Sequence, residues 1–127
     1  MTIHGIGTDI VRIARMEEDL RRYGERFAER ILAHSELEEY RASRMPGRFL
    51  AKRFAAKEAA VKALGTGFSQ GVSLHDVAVA HESGGRPYLI YDGNASRLCR
   101  EYGITVSHLS IADEAEYAVA FVTLMNG

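Results

Sequence analysis

Cysteine is almost missing from this chain: Cys99 stands alone among 127 residues. A lone thiol excludes an intrachain disulfide and a cysteine-built zinc centre, and it suits a reducing cytoplasm. A basic excess is missing too. The formal charge of -1 argues against a general nucleic-acid binder, which is normally basic overall. No apolar run approaches the roughly 20 residues that span a bilayer, and the opening MTIHGIGTDI has neither the basic flank nor the apolar centre of a secretion signal. The expectation is a cytoplasmic protein with no membrane or nucleic-acid partner. His4, His34, His75, His81 and His108 are scattered without metal-ligand spacing, and there is no Gly-x-Ser-x-Gly elbow or Cys–His pairing. Zinc chemistry and covalent catalysis therefore lack support.

What is present is the composition of one folded domain. Hydrophobic residues make up 46% and charged residues 26%, which argues against disorder. The length fits a single domain over 1–127, with a modest core for its surface and no repeat or linker. Ile3 to Val11 alternates as a strand, placing Ile6 and Ile10 on one face and Gly5, Gly7 and Asp9 on the other. The two glycines leave room beside the Asp9 carboxylate. Arg12 to about Arg30 has helical spacing with an interruption near Gly24. A short helix is expected to start at Ser35 as N-cap, with Glu38 three residues on.

Pro46 suits the first turn of a longer helix running to about Leu64 and stopping at Gly65. Leu50, Phe54 and Val61 form one stripe of that helix, and Glu58 sits in the same stripe. A carboxylate placed among apolar residues must find a partner. Val77 to His81 and Pro87 to Tyr91 read as a hairpin across Ser83, Gly84 and Gly85. Ala95 to Tyr102 reads as helix, ending at Gly103. Thr105 to Ile111 and Tyr117 to Met125 are apolar, β-branched runs expected to form buried strands around the acidic turn Asp113, Glu114. The fold class is α+β: an antiparallel sheet with a long central helix.

Three groups of residues can carry chemistry. Asp9 and Glu58 would repel each other if they met, unless a cation or proton held them. Hard oxygen donors in so small a number suit Mg²⁺, which takes one or two protein carboxylates plus phosphate and water; two separate acids paired with arginines are the alternative. Lys62 lies four residues after Glu58, so it forms either an ordinary helix ion pair or a contact to a phosphate oxygen beside the metal. Gly65, Gly67 and Gly71 follow a helix instead of preceding one, which excludes a Walker-type loop and leaves a helix cap and turn. Arg15, Arg22 and Arg26 fall near one helical face with Arg12, diluted by Asp19; such a face is either solvated or steers an acidic partner.

Taken together, Gly7-Thr8-Asp9 and the run Phe54-Ala55-Ala56-Lys57-Glu58-Ala59-Ala60-Val61-Lys62-Ala63 resemble the paired motifs of the holo-acyl-carrier-protein synthases, the short 4′-phosphopantetheinyl transferases. The similarity extends through RFAERIL (Arg26 to Leu32), Gly85-Arg86-Pro87 and EYAVA (Glu116 to Ala120). The resemblance implies transfer of 4′-phosphopantetheine from coenzyme A to a serine of apo acyl carrier protein, with release of adenosine 3′,5′-bisphosphate. It implies Asp9 and Glu58 as Mg²⁺ ligands, Lys62 beside the transferred phosphate, and Arg53 and Gly65 near coenzyme A. Glu58 or a metal-bound water is the implied base. Arg15, Arg22 and Arg26 fall where the family docks its acidic carrier, and the family is usually a homotrimer with sites between subunits. One departure stands out. Many members carry a histidine in an S-x-x-H segment near the reacting centre; here Ser110-Ile111-Ala112-Asp113 places Asp113 there, so a mechanism requiring a histidine base is put in doubt.

Overall fold

A computed structural model describes residues 1–127. Strand β1 (Thr2–Arg12) leads into α1 (Ile13–Tyr23) and α2 (Glu25–Ile31), then α3 (Leu37–Ala42) and the long α4 (Pro46–Leu64). The hairpin β2 (Val77–His81) and β3 (Pro87–Tyr91) follows, then α5 (Gly93–Glu101) and the closing pair β4 (Ile104–Asp113) and β5 (Tyr117–Asn126). The strands form a three-stranded antiparallel sheet in the order β1-β5-β4, with β2 and β3 as a separate pair. A hydrogen bond of 2.9 Å between the hydroxyls of Tyr91 and Ser107 ties the hairpin to β4.

Small residues decide how α4 meets the sheet. Ala51, Ala55, Ala56, Ala59, Ala60 and Ala63 are all buried, as are Ala118 and Ala120 on β5, which α4 packs against. Gly5 and Gly7 complete this trough. A Cβ on Gly5 would stand 1.9 Å from the Ala63 carbonyl oxygen, and one on Gly7 1.9 Å from that of Ala59. Helix and strand backbones therefore lie closer than any side-chain-bearing residue would allow. The alternation expected of β1 holds: Gly7 and Val11 are buried, while Ile6 and Ile10 stay 54% and 64% exposed on the outer face.

Helix boundaries follow local chemistry. Pro46 occupies the first turn of α4, and Gly65 ends it in the left-handed conformation, φ 87°, with its N–H shared between the carbonyls of Val61 and Lys62. Gly24, φ 70°, separates α1 from α2 where an interruption was expected.

Two expectations change. Ser35 is no N-cap: it lies in a 3₁₀ turn, His34–Glu36, and the Ala33 N–H is received by the carboxylate of Glu36 at 2.9 Å. The longer acidic side chain reaches the free N–H and also finds buried cations. The β4–β5 pair is not buried on both faces. Val122 and Leu124 are covered by α4, but Val119 and Phe121 are 37% and 46% exposed, and no residue of β4 is fully buried. One helix covers only one face of a sheet, and β4 is an edge strand.

Candidate active site

The β1 glycines and α4 alanines bring Asp9 and Glu58 to one cleft. The cleft, of about 660 Å³, is lined by both acids with Phe54, Arg12 and Arg15. The Lys62 ammonium crosses from α4 to donate to the Asp9 carboxylate at 2.9 Å and to the Thr8 carbonyl at 3.1 Å. Lys62 thus binds the acid on the strand and not its helix neighbour four residues away. Burial, and next the charge of Asp9, push the Glu58 carboxyl above its ordinary range, with Lys62 pulling the other way. Asp9 and Glu58 offer two hard carboxylates to one space, with a lysine already among them. That donor set fits a divalent cation such as Mg²⁺, completed by phosphate and water.

Around Arg53, which the resemblance places near coenzyme A, three further cations were missed in the sequence. Arg44, Arg48, Lys52 and Arg53 converge with His81 and Ile111 on a pocket of about 330 Å³. The signal was present as cations at intervals of four: Arg44 just before α4, and Arg48 and Lys52 in its first turns, where that spacing shares one helix face. Asp113 lies at this rim. It accepts from Arg48 at 2.8 Å and faces Lys52 at 3.6 Å, and the Arg48 hydrogen bond first of all holds its carboxyl below the usual carboxylate range.

Arg53 reaches the same pocket from a buried ion cluster. Its guanidinium donates to Glu36 at 3.2 Å and to Glu39 at 3.1 Å, and stacks over the Phe49 ring at 4.3 Å. Lys57, fully buried, donates to Glu36 and to the carbonyls of Leu74 and Val77. Its pKa is lowered because burial outweighs the attraction of Glu36.

The two sites lie on opposite flanks of α4. At 100° per residue, the average direction of positions 48, 52 and 53 stands roughly 150° from that of positions 54 and 58, although Arg48 alone is only about 80° from Glu58. Asp113 is on one edge strand and Asp9 on the other, with Asp9 paired to Ala120, Ala120 to Ile111, and Asp113 two residues beyond. Two strand spacings and two residues separate their backbones by roughly 12 Å. One chain therefore unites Asp9, Glu58 and Lys62, and separately Arg53 and Asp113, but not the two sets. Gly65 stands at the carboxyl end of α4, consistent with a cap. Arg15, Arg22 and Arg26 are all exposed on α1 and α2, and Arg22 lies over the Tyr23 ring at 5.5 Å.

Comparison with known proteins extends this geometry. The sequence model of the 4′-phosphopantetheinyl transferase superfamily matches residues 5–122. A holo-[acyl-carrier-protein] synthase from Vibrio cholerae serotype O1 is 56% identical over 122 residues, covering 96% of this chain and 97% of that one. The crystal structure of the Neisseria meningitidis holo-[acyl-carrier-protein] synthase is 41% identical with a TM-score of 0.92, covering 98% and 99% of the two chains. A Bacillus anthracis holo-(acyl-carrier-protein) synthase solved with CoA (3′,5′-ADP) is 36% identical with a TM-score of 0.84, covering 100% of both. With both motifs seated on one strand–helix contact and similarity over nearly its whole length, the chain belongs to the holo-[acyl-carrier-protein] synthase family of the 4′-phosphopantetheinyl transferase superfamily and is a transferase.

Proposed function

We propose that the chain transfers 4′-phosphopantetheine from coenzyme A to a serine of apo acyl carrier protein in a Mg²⁺-dependent reaction that releases adenosine 3′,5′-bisphosphate. The observation that carries this reading is the meeting of Asp9 and Glu58 in one cleft, with Lys62 bonded to the Asp9 carboxylate. The basic pocket supports it, since four cationic side chains suit a substrate rich in phosphate. The Bacillus anthracis relative was solved with CoA (3′,5′-ADP).

Asp9 and Glu58 are the residues to hold Mg²⁺. When bound, the ion supplies neutralisation of the pyrophosphate charge. Lys62 adds a positive charge where the leaving phosphate develops negative charge. The carrier serine oxygen attacks the β-phosphorus; the bond from that phosphorus to the bridging oxygen breaks, and the serine proton must leave. Glu58, a carboxylate lining the cleft beside Asp9, is the protein group placed to receive it. Arg53, with Arg44, Arg48 and Lys52, holds the nucleotide end of coenzyme A. Gly65 shapes the chain beyond α4 near that substrate, and the exposed Arg15, Arg22 and Arg26 dock the acidic carrier.

The assembly belongs to the same proposal. A substrate that touches both the basic pocket and the acids must pass from one flank of α4 to the other. Subunits packed side by side in a homotrimer bring the basic pocket and Asp113 of one chain against the acids of the next. The outer sheet face, with Ile6, Ile10, Val119 and Phe121 exposed, is apolar surface of the kind a neighbour covers. No helix is long and apolar enough to cross a membrane, and we assign the reaction to the cytoplasm. The deciding experiment is intact mass measurement of an apo carrier incubated with the protein, Mg²⁺ and coenzyme A. A carrier heavier by one phosphopantetheine is expected; an unmodified carrier refutes the function.

A further inference from the structure

Arg53 connects the protein interior to the basic pocket, and the two acids that bind it differ in kind. Glu36 is 1% exposed and its carboxylate is fully bonded. One oxygen receives the Ala33 N–H at 2.9 Å and the Lys57 ammonium at 2.6 Å; the other receives the Val79 N–H at 3.0 Å and Arg53 Nη1 at 3.2 Å. These bonds fix the carboxylate to the chain before α3, to β2 and to α4 at once. Glu39 has a side chain 60% exposed and holds only Arg53 Nη2, at 3.1 Å. An ion pair that open to water contributes little, and its partner is easily exchanged.

Charge counting points the same way. Within the interior, one carboxylate serves two cations, Lys57 and Arg53. Lys57 spends its remaining protons on the carbonyls of Leu74 and Val77. Arg53 therefore presents the unbalanced charge outward, along the pocket wall, where Glu39 alone meets it. The Phe49 ring under the guanidinium fixes its plane while leaving the Nη2 edge available.

We propose that Glu36 is a positioning residue for the anion pocket, holding the Arg53 guanidinium on its wall, and that Glu39 is an exchangeable partner whose place at Nη2 a substrate phosphate oxygen takes. The proposal rests on the coenzyme A reading above. Its physical content is preorganisation: the guanidinium is oriented before the anion arrives, so little ordering remains to be done on binding.

The test measures binding of adenosine 3′,5′-bisphosphate by calorimetric titration, together with KM for coenzyme A and for the carrier. Glu39→Gln removes the competing charge and should tighten nucleotide binding about two- to fivefold, with the carrier KM unchanged. Glu36→Gln frees the guanidinium and should weaken binding about tenfold, again with the carrier KM unchanged. Opposite shifts from two acids on one arginine are not produced by a cluster that only holds the fold together. If Glu36→Gln fails to fold because Lys57 is left unpaired, Glu36→Gln with Lys57→Met returns the cluster to its original net charge and is measured instead. The Glu39→Gln result also decides alone, since that side chain is on the surface: binding that is unchanged or weaker overturns the proposal, as does a shift of both variants in one direction. Wild-type protein that binds no nucleotide and loads no carrier refutes the coenzyme A reading itself, and this proposal with it.

Discussion

Gly7→Ala should damage the catalytic centre without touching any charged residue. The added Cβ would stand 1.9 Å from the Ala59 carbonyl oxygen and 2.8 Å from the Ala63 nitrogen. A carbon–oxygen contact settles at about 3.3 Å, so α4 must retreat from β1 by roughly 1.4 Å. Both obstructing atoms are backbone, and no rotamer change relieves them. Overpacking of this kind costs about 2–3 kcal/mol. At about 4 °C per kcal/mol for a domain of this length, the melting temperature should fall by about 8–12 °C. The same retreat separates Glu58, on α4, from Asp9, on β1. A displacement near 1 Å can lower a rate about 10²-fold, so kcat should drop by that order even well below the new melting temperature. The assay is thermal unfolding by circular dichroism, paired with mass-detected carrier loading at saturating Mg²⁺. Gly84→Ala is the control, because a Cβ there meets nothing within 4 Å. A Gly7→Ala variant that melts and turns over like wild type refutes the close-approach reasoning.

Further outcomes follow from other parts of the molecule. Asp9→Ala and Glu58→Ala should each lower carrier loading by about 10²–10³-fold while keeping the circular dichroism spectrum; near-normal loading by either at limiting Mg²⁺ would falsify the shared-cation assignment. Arg15→Glu with Arg22→Glu should raise the carrier KM about tenfold and leave the coenzyme A KM in place, imitating added salt, because exposed charges are screened over about 8 Å; a selective loss of coenzyme A affinity would show the stripe does not dock the carrier. Phe121→Lys should convert the proposed trimer to smaller species by light scattering and reduce activity with it, whereas a fully active trimer would leave the exposed sheet face without its assigned partner. Arg48 holds the Asp113 carboxyl below its ordinary 3.8. That pair stabilises the fold above this pH and loses its contribution as pH falls through the lower folded value. Asp113→Asn should therefore melt lower than wild type near neutrality, with the gap closing in acid; an equal gap at both pH values would contradict the linkage.

Much of this arrangement was legible in the sequence, for reasons that differ by element. Pro46 and Gly65 bracket α4 because a missing N–H and a free φ are local properties, readable one residue at a time. The alternation of β1 was readable for the same reason, and it placed Asp9 on the helix-facing side. Glu58 in an apolar stripe announced a partner without naming it. That Asp9 is the acid beside it depends on a contact between residues 49 positions apart, which the family resemblance supplied and spacing could not. Ser35 misled because the chain there has a better acceptor in Glu36, whose role depends on Lys57 and Arg53 arriving from α4. The exposed half of β5 misled too, since an apolar run does not say whether its second face meets the same chain. Arg44, Arg48 and Lys52 were visible as spacing but gained meaning only when His81 and Ile111 closed the pocket over them.

The placement of cations and acids on opposite flanks of α4 has a genetic reading. If each working centre draws its acids from one chain and its basic pocket from the next, a chain without Asp9 still owns a good pocket, and a chain without Arg48 still owns good acids. Mixed in one ring, two individually dead proteins would rebuild an intact centre at one kind of boundary. Both defects placed in the same chain would leave nothing to rebuild with, whatever it was mixed with. The helix that divides the chain's chemistry would thus make function a property of neighbours, and a mutation's severity would depend on which chain stands beside it.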